Sequence, residues 1–141
     1  MSETGSKDAK TASGVVRGRI LVIDDVPDLV TMVAKSLSVF GYEVLQATSG
    51  TQGIEVFSEN SVDLVICDLH MPDFDGLAVS ETVKEICEQK SIAKPPFLII
   101  TGWGDEIDSD EELARVGVDG ILNKPIDVPE LVEIIGELLG S

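Results

Sequence analysis

The chain has 141 residues, 43% hydrophobic, and its 26 acidic against 10 basic side chains give a formal net charge of -16. That length and apolar share suit one domain that buries a core without staples, while so acidic a surface, with no basic stripe, repels a phosphate backbone and excludes nucleic-acid binding. No apolar run approaches the roughly 18 residues of a membrane span and the N-terminus lacks a signal peptide's hydrophobic core, so a cytoplasmic protein with no membrane partner is expected.

Residues 1–17 hold few large apolar side chains among many Ser, Thr, Gly and Lys, the composition of a disordered tail or linker, and the folded domain is expected over 18–141. From Arg19 the chain alternates short apolar runs with segments of helical period. R-I-L-V-I-D-D reads as a first strand, and the next segment sets Leu29, Val33, Leu37 and Phe40 on one helical face before Gly41 stops it. Y-E-V-L-Q-A is a second strand, and Gly50, Ile54 and Phe57 form the inner face of the helix after it. D-L-V-I-C-D is a third strand, followed by a helix with the inner stripe Val79, Val83 and Ile86. P-P-F-L-I-I-T is a fourth, its start fixed by the Pro pair. The helix near Ser109 to Val116 is the weakest reading, because only Leu113, Ala114 and Val116 are apolar. G-I-L-N is the fifth strand, and Asp127 caps a last helix with Leu131, Ile134, Ile135 and Leu138 inward. Cys67 and Cys87 fall in apolar stretches and read as small core fillers in a reducing compartment.

Repeated strand-helix units with near-continuous apolar strands predict a parallel sheet covered on both faces, a doubly wound α/β fold. Sites in such sheets lie beyond the carboxyl ends of the strands. Those ends carry Asp24 and Asp25 after the first strand, Asp68 at the third, Thr101 at the fourth, and Lys124 with Pro125 after the fifth. Three carboxylates at close quarters repel, and a hard divalent ion resolves the conflict: an oxygen donor set without Cys or His clusters suits Mg2+, with Mn2+ as the alternative. The remaining coordination positions, Lys124 and the Thr101 hydroxyl can then take the oxygens of a transferring phosphoryl group, with a central carboxylate as nucleophile. The loop L-H-M-P-D-F-D-G must turn sharply, and Pro72 with Asp75 and Gly76 supplies the turn chemistry, Asp73 serving the same turn.

Each motif has a bland reading alone: Asp24 and Asp25 as a helix cap, Asp68 as a turn acid, Thr101 as loop chemistry, Lys124 as a solvated lysine. In order, however, V-I-D-D, D-L-H-M-P-D-F-D-G, I-I-T-G and N-K-P resemble the receiver domains of bacterial two-component response regulators, from about Arg17 to Leu139. The resemblance implies the flavodoxin-like (βα)5 fold of the chemotaxis regulator, with strand order 2-1-3-4-5. It implies Asp68 as phosphoacceptor, Asp25 as a direct metal ligand, Asp24 as a ligand through water, and the backbone carbonyl of His70 as a further ligand. Thr101 and Lys124 would bind phosphoryl oxygens, and a cis Lys124–Pro125 bond is implied as well. The implied partners are a histidine kinase or histidine phosphotransfer domain. A homodimer through the face of the fourth helix, fifth strand and fifth helix is an outcome the resemblance allows.

Two departures matter. Ile121 stands three before the lysine, where the family commonly has an aromatic switch residue. Trp103 and His70 stand where the family tunes water access to the phosphoryl group, and both are bulky. The ring of His70 is expected to face solvent, Trp103 to pack within its loop, and the acidic run D-E-I-D-S-D-E-E to be a solvated loop. The function expected is a phosphorylation-switched binding module without external turnover. An Mg2+-dependent phosphohydrolase with an aspartyl nucleophile is the alternative, although its second acid would fall at His70. A flavin carrier would need a phosphate-cradling first loop, which V-I-D-D-V-P-D is not. The chain reads as a stand-alone regulator or as the receiver of a hybrid histidine kinase with residues 1–17 as its linker, the second being preferred.

Overall fold

The structure is a computed structural model and describes residues 16–102 and 110–140. Strands and helices alternate in the order β1 (Gly18–Ile23), α1 (Pro27–Val39), β2 (Tyr42–Ala47), α2 (Gly50–Glu59), β3 (Leu64–Asp68), α3 (Gly76–Lys90), β4 (Phe97–Thr101), α4 (Asp110–Val116), β5 (Gly120–Asn123) and α5 (Val128–Leu139). The strands pair in parallel in the order β2-β1-β3-β4-β5. This is the doubly wound parallel sheet that the strand-helix repeat predicts, in the flavodoxin-like strand order that the resemblance implies.

Alternation along the strands divides the core in two. Ile20, Val22, Leu64, Ile66, Leu98, Ile100 and Leu122 face α1 and α5, where they meet Val30, Val33, Leu37, Leu131 and Ile135. Leu21, Ile23, Val65, Cys67, Phe97 and Ile99 face the other way, onto Phe57, Val79, Val83, Cys87 and Val116. Ile23, Cys67 and Ile99, paired across β1, β3 and β4, have no exposed surface beyond 0%. Burying one such side chain stabilises by about 1.5–3 kcal/mol, so the residues that follow start from a fixed platform.

Several helix faces differ in detail from the periodic reading. In α1 the buried residues are Val30, Val33, Ala34 and Leu37, with Leu29 half-buried. Phe40 is not inward: it is the C-cap, 40% exposed, because the helix ends at Val39 and the backbone has left helical geometry. Gly41 follows at φ 94°, the left-handed turn that favours glycine. In α2 Gly53 is buried beside Gly50 and Phe57, and Ile54 only packs at the margin. In α3 the stripe runs through Cys87, with Ile86 at the margin. In α4 Val116 is buried, Leu113 is half-buried and Ala114 is exposed. Asp127 occupies the N-cap of α5, yet its side chain makes no cap bond. Ser109, Trp103 and most of the acidic run lie outside the described residues, as do residues 1–15. Arg17, just before β1, already donates its N–H to Gly41 O (2.9 Å) and stacks its guanidinium over Tyr42.

Gly76 joins β3 to α3 at the closest backbone approach near the strand ends. A Cβ there would lie 2.6 Å from Asp68 O and 2.7 Å from Ile99 Cδ1. Gly76→Ala is therefore expected to destabilise the domain by about 1–3 kcal/mol, the range for overpacking, read as a lower urea midpoint with unchanged slope.

Candidate functional site

The register builds the site. Ile23 pairs with Cys67, so Asp24 and Asp68 occupy the next rung of adjacent strands, and Asp68 pairs with Ile100. Period-two alternation then sends both carboxylates toward the α1 and α5 side, the side of Val22 and Ile66. Asp24 is 0% exposed and Asp68 5%, whereas Asp25 is exposed. Carboxylate oxygens of all three lie within 4.8 Å of one another. Thr101, fully buried, ends β4 opposite Asn123, and its carbonyl accepts the Lys124 N–H at 2.9 Å. That bond and the cis Lys124–Pro125 peptide lie where the chain leaves β5 at the sheet edge.

Lys124 Nζ stands 3.2 Å from Asp24 Oδ2 and 3.3 Å from Asp68 Oδ1. Asp24 Oδ1 accepts the Val26 N–H at 2.9 Å, which turns the chain into α1. Asp24 Oδ2, although ion-paired, is buried with no aligned hydrogen bond, so it retains lone-pair capacity. Burial pushes the Asp68 carboxyl above the ordinary aspartate value, the Asp24 charge adds to this, and Lys124 only partly opposes it. Burial would lower the Lys124 ammonium, but Asp24 and Asp68 outweigh it and hold it above the usual lysine value. One ammonium thus faces three carboxylates, and the residual negative charge with an oxygen-only donor set fits a hard divalent cation.

The loop between β3 and α3 is anchored at intervals. Leu69 and Met71 are buried in the core, and Leu69 N–H donates to Ile100 O at 3.0 Å. Asp75 is the N-cap of α3, accepting from Ala78 N–H at 2.9 Å, as its turn role predicts. Asp73 reaches beyond its own turn: it accepts from Gly50 N–H (3.2 Å), Thr51 N–H (3.0 Å) and the Thr51 hydroxyl (2.8 Å) at the start of α2. These Thr51 and Gly50 bonds hold its carboxyl below the ordinary aspartate range. His70 is exposed between the anchors. The structure brings Asp24, Asp25, Asp68 and Lys124 together, and Thr101 closes β4 at the same end of the sheet. The long-range bonds of Asp73 have no counterpart in the local sequence pattern.

An acidic pocket at the carboxyl edge of a flavodoxin-like sheet, with a lysine on a cis-proline turn, defines the class of aspartate-centred α/β switch domains. The chain belongs to the response regulator receiver domain family, whose sequence profile matches residues 20–136. It is 33% identical over 120 residues to the transcriptional regulatory protein GlrR of Escherichia coli strain K12, covering 85% of this chain and 26% of GlrR. It is 31% identical over 122 residues to the autoinducer 1 sensor kinase/phosphatase LuxN of Vibrio campbellii, covering 86% of this chain and 14% of LuxN. A solved response regulator receiver domain from Clostridium thermocellum superposes with a TM-score of 0.76 at 31% identity, over 87% of this chain and 94% of that one. The chain thus spans about a quarter or less of these two full-length relatives. The domain is a phosphoacceptor module of two-component signalling, and receiver domains are signalling switches.

The raised Asp68 pKa sets a pH dependence. Because the folded state holds this proton more tightly than the unfolded chain, the contribution of Asp68 to stability is complete below the unfolded aspartate value of about 3.9. It is lost as pH rises through the folded value. In EDTA, Asp68→Asn is expected to gain stability relative to the unsubstituted protein as pH rises from about 4 to about 7. Urea midpoints across that range check it, and a constant difference would contradict it.

Proposed function

We propose that Asp68 is the phosphoacceptor, taking a phosphoryl group from a phosphohistidine of a histidine kinase or phosphotransfer domain. The observation that supports this most is the position of Lys124 Nζ, 3.3 Å from Asp68 Oδ1 and 3.2 Å from Asp24 Oδ2, inside the acidic cluster. An oxygen of Asp68 forms the bond to phosphorus as the phosphohistidine P–N bond breaks, and the departing imidazole takes the electron pair and then a proton. Lys124 and the Thr101 hydroxyl take the equatorial phosphoryl oxygens, and strand packing keeps Asp68 aimed. Asp25, Asp24, Asp68 and the His70 backbone carbonyl would hold Mg2+, or Mn2+ in its place. When bound, the ion supplies positive charge against the phosphoryl oxygens and lowers the repulsion among the carboxylates.

Hydrolysis of the acyl phosphate resets the domain, so it has no external substrate to turn over. Ile121 lies half-buried in β5 beside a groove of about 360 Å3 lined also by Leu113, Ala114 and Val118. We read this face of α4, β5 and α5 as the output surface, for a partner protein or a second copy. We read the chain as a receiver within a hybrid kinase, with residues 1–17 as linker; the likeness to the sensor kinase/phosphatase LuxN supports this, and the likeness to the transcriptional regulatory protein GlrR supports a response regulator equally. Among the described residues no helix is long and apolar enough to cross a membrane. Two free, buried cysteines, Cys67 and Cys87, suit the reducing cytoplasm as the place of action.

Intact mass after incubation with acetyl phosphate and Mg2+ tests the assignment. The expected result is a gain of one phosphoryl group that disappears in EDTA and in Asp68→Asn. A gain that survives in Asp68→Asn would move the acceptor elsewhere.

A further inference from the structure

At the start of α2 the amides of Gly50, Thr51 and Gln52 lack an intrahelical backbone partner, and two of these three are served from outside the helix. Gln52 N–H donates to Ser49 Oγ at 3.0 Å and Gly53 N–H to Ser49 O at 2.9 Å. The first two, Gly50 N–H and Thr51 N–H, go to the two carboxylate oxygens of Asp73, joined by the Thr51 hydroxyl. Contact reinforces this junction: a Cβ on Gly50 would lie 2.5 Å from Phe74 Cβ and 2.8 Å from Phe74 O, so only glycine lets the loop backbone approach. Gln52 Oε1 in turn accepts the Thr48 N–H at 2.7 Å, which ties the helix start to the end of β2.

This junction sits on the loop that carries His70. Core anchors hold its early part through Leu69 and Met71, and the Asp75 cap with Gly76 holds its end. Between Met71 and Asp75, Pro72 has no N–H to donate and is exposed, so the Asp73 carboxylate is the polar tether of that stretch. An exposed aspartate with three aligned donors at a helix N-terminus is a charge-assisted clamp.

We propose that Asp73 is a positioning residue for the metal site: by clamping the loop after Asp68 to α2, it fixes the backbone around His70. This rests on the reading of the His70 carbonyl as a metal ligand. Asp73 touches neither phosphoryl group nor ion; it acts through the loop, as outer-shell groups do when they orient ligands.

Calorimetric titration of the metal-free protein with Mg2+ tests it, using Asp73→Ala, Asp73→Asn, and Glu59→Ala as a control that removes an exposed charge from the far end of α2. Asp73→Ala is expected to weaken Mg2+ binding about 10-fold, the lower bound for losing an outer-shell partner. Asp73→Asn, which keeps one acceptor oxygen, should fall between, and the acetyl phosphate rate should recover at saturating Mg2+. Circular dichroism verifies folding, and amide exchange at Gly50 and Thr51 verifies that the clamp is gone. If the clamp is lost while Mg2+ affinity equals that of Glu59→Ala, the proposal is overturned and the metal site stands. If the unsubstituted protein binds no Mg2+, both readings fall together.

Discussion

Like charges held together by a sheet that will not yield are the constraint on which this molecule depends. Asp24, directly after β1, stands beside Asp68 at the end of β3, Asp25 joins them within 4.8 Å, and among the described residues Lys124 is the ammonium paired with Asp24 and Asp68. In a flexible loop the carboxylates would separate. Here the residues before them are Ile23 and Cys67, both fully buried, and separation would require breaking the core. The packing therefore holds Asp68 buried beside a like charge at the edge of the sheet, and burial first, then the Asp24 charge, raises its pKa. A site so built has a stability deficit that binding can relieve, which is the general form of a functional site that breaks local folding rules.

Both faces of the sheet carry a continuous buried cluster, but α4 is anchored more lightly than the helices around it. On the side of α1 and α5 the helices bring Val30, Val33, Leu37, Leu131 and Ile135 into one continuous cluster. On the other side α4 contributes Val116 as its buried residue and is held at its C-terminal end by two polar bonds. Ser80 Oγ donates to Val116 O at 2.7 Å, and Lys84 Nζ to Arg115 O at 2.9 Å. An element with little apolar anchorage is one whose position small changes at a neighbouring strand end can bias. Thr101 closes β4 beside it, and the Thr101 carbonyl holds the Lys124 amide. With Ile121 in place of an aromatic, β4 and β5 are joined at that edge through backbone bonds rather than a rotating ring.

Most of the architecture was legible because its determinants are local or periodic. The β-branched runs, the Gly41 stop and the acids at the strand ends can be read without knowing the fold, and the fold rule then brings Asp24, Asp68, Thr101 and Lys124 to one edge. What was not legible depends on where elements end and what lies across from them. Phe40 fits the helical period, but the helix terminates one residue earlier and leaves it half in solvent. Asp127 has the right type and place for a cap, yet its side chain makes no cap bond. Asp73 looks like a turn acid, and its partners are 22 and 23 residues away on α2, a pairing no local pattern encodes. Ser80 is likewise an unremarkable helical serine until its bond to Val116 is seen.

The central claim is that the sheet edge carries uncompensated negative charge which a divalent cation relieves. The most direct measurement is the thermal midpoint of the metal-free protein in Mg2+ against NaCl of equal ionic strength, beside Asp24→Asn/Asp25→Asn. Binding to the folded state alone predicts a stabilisation of about 2.7 kcal/mol at a hundredfold excess over Kd, absent from the double variant. Equal midpoints in the two salts, or an equal rise in the double variant, would contradict the account.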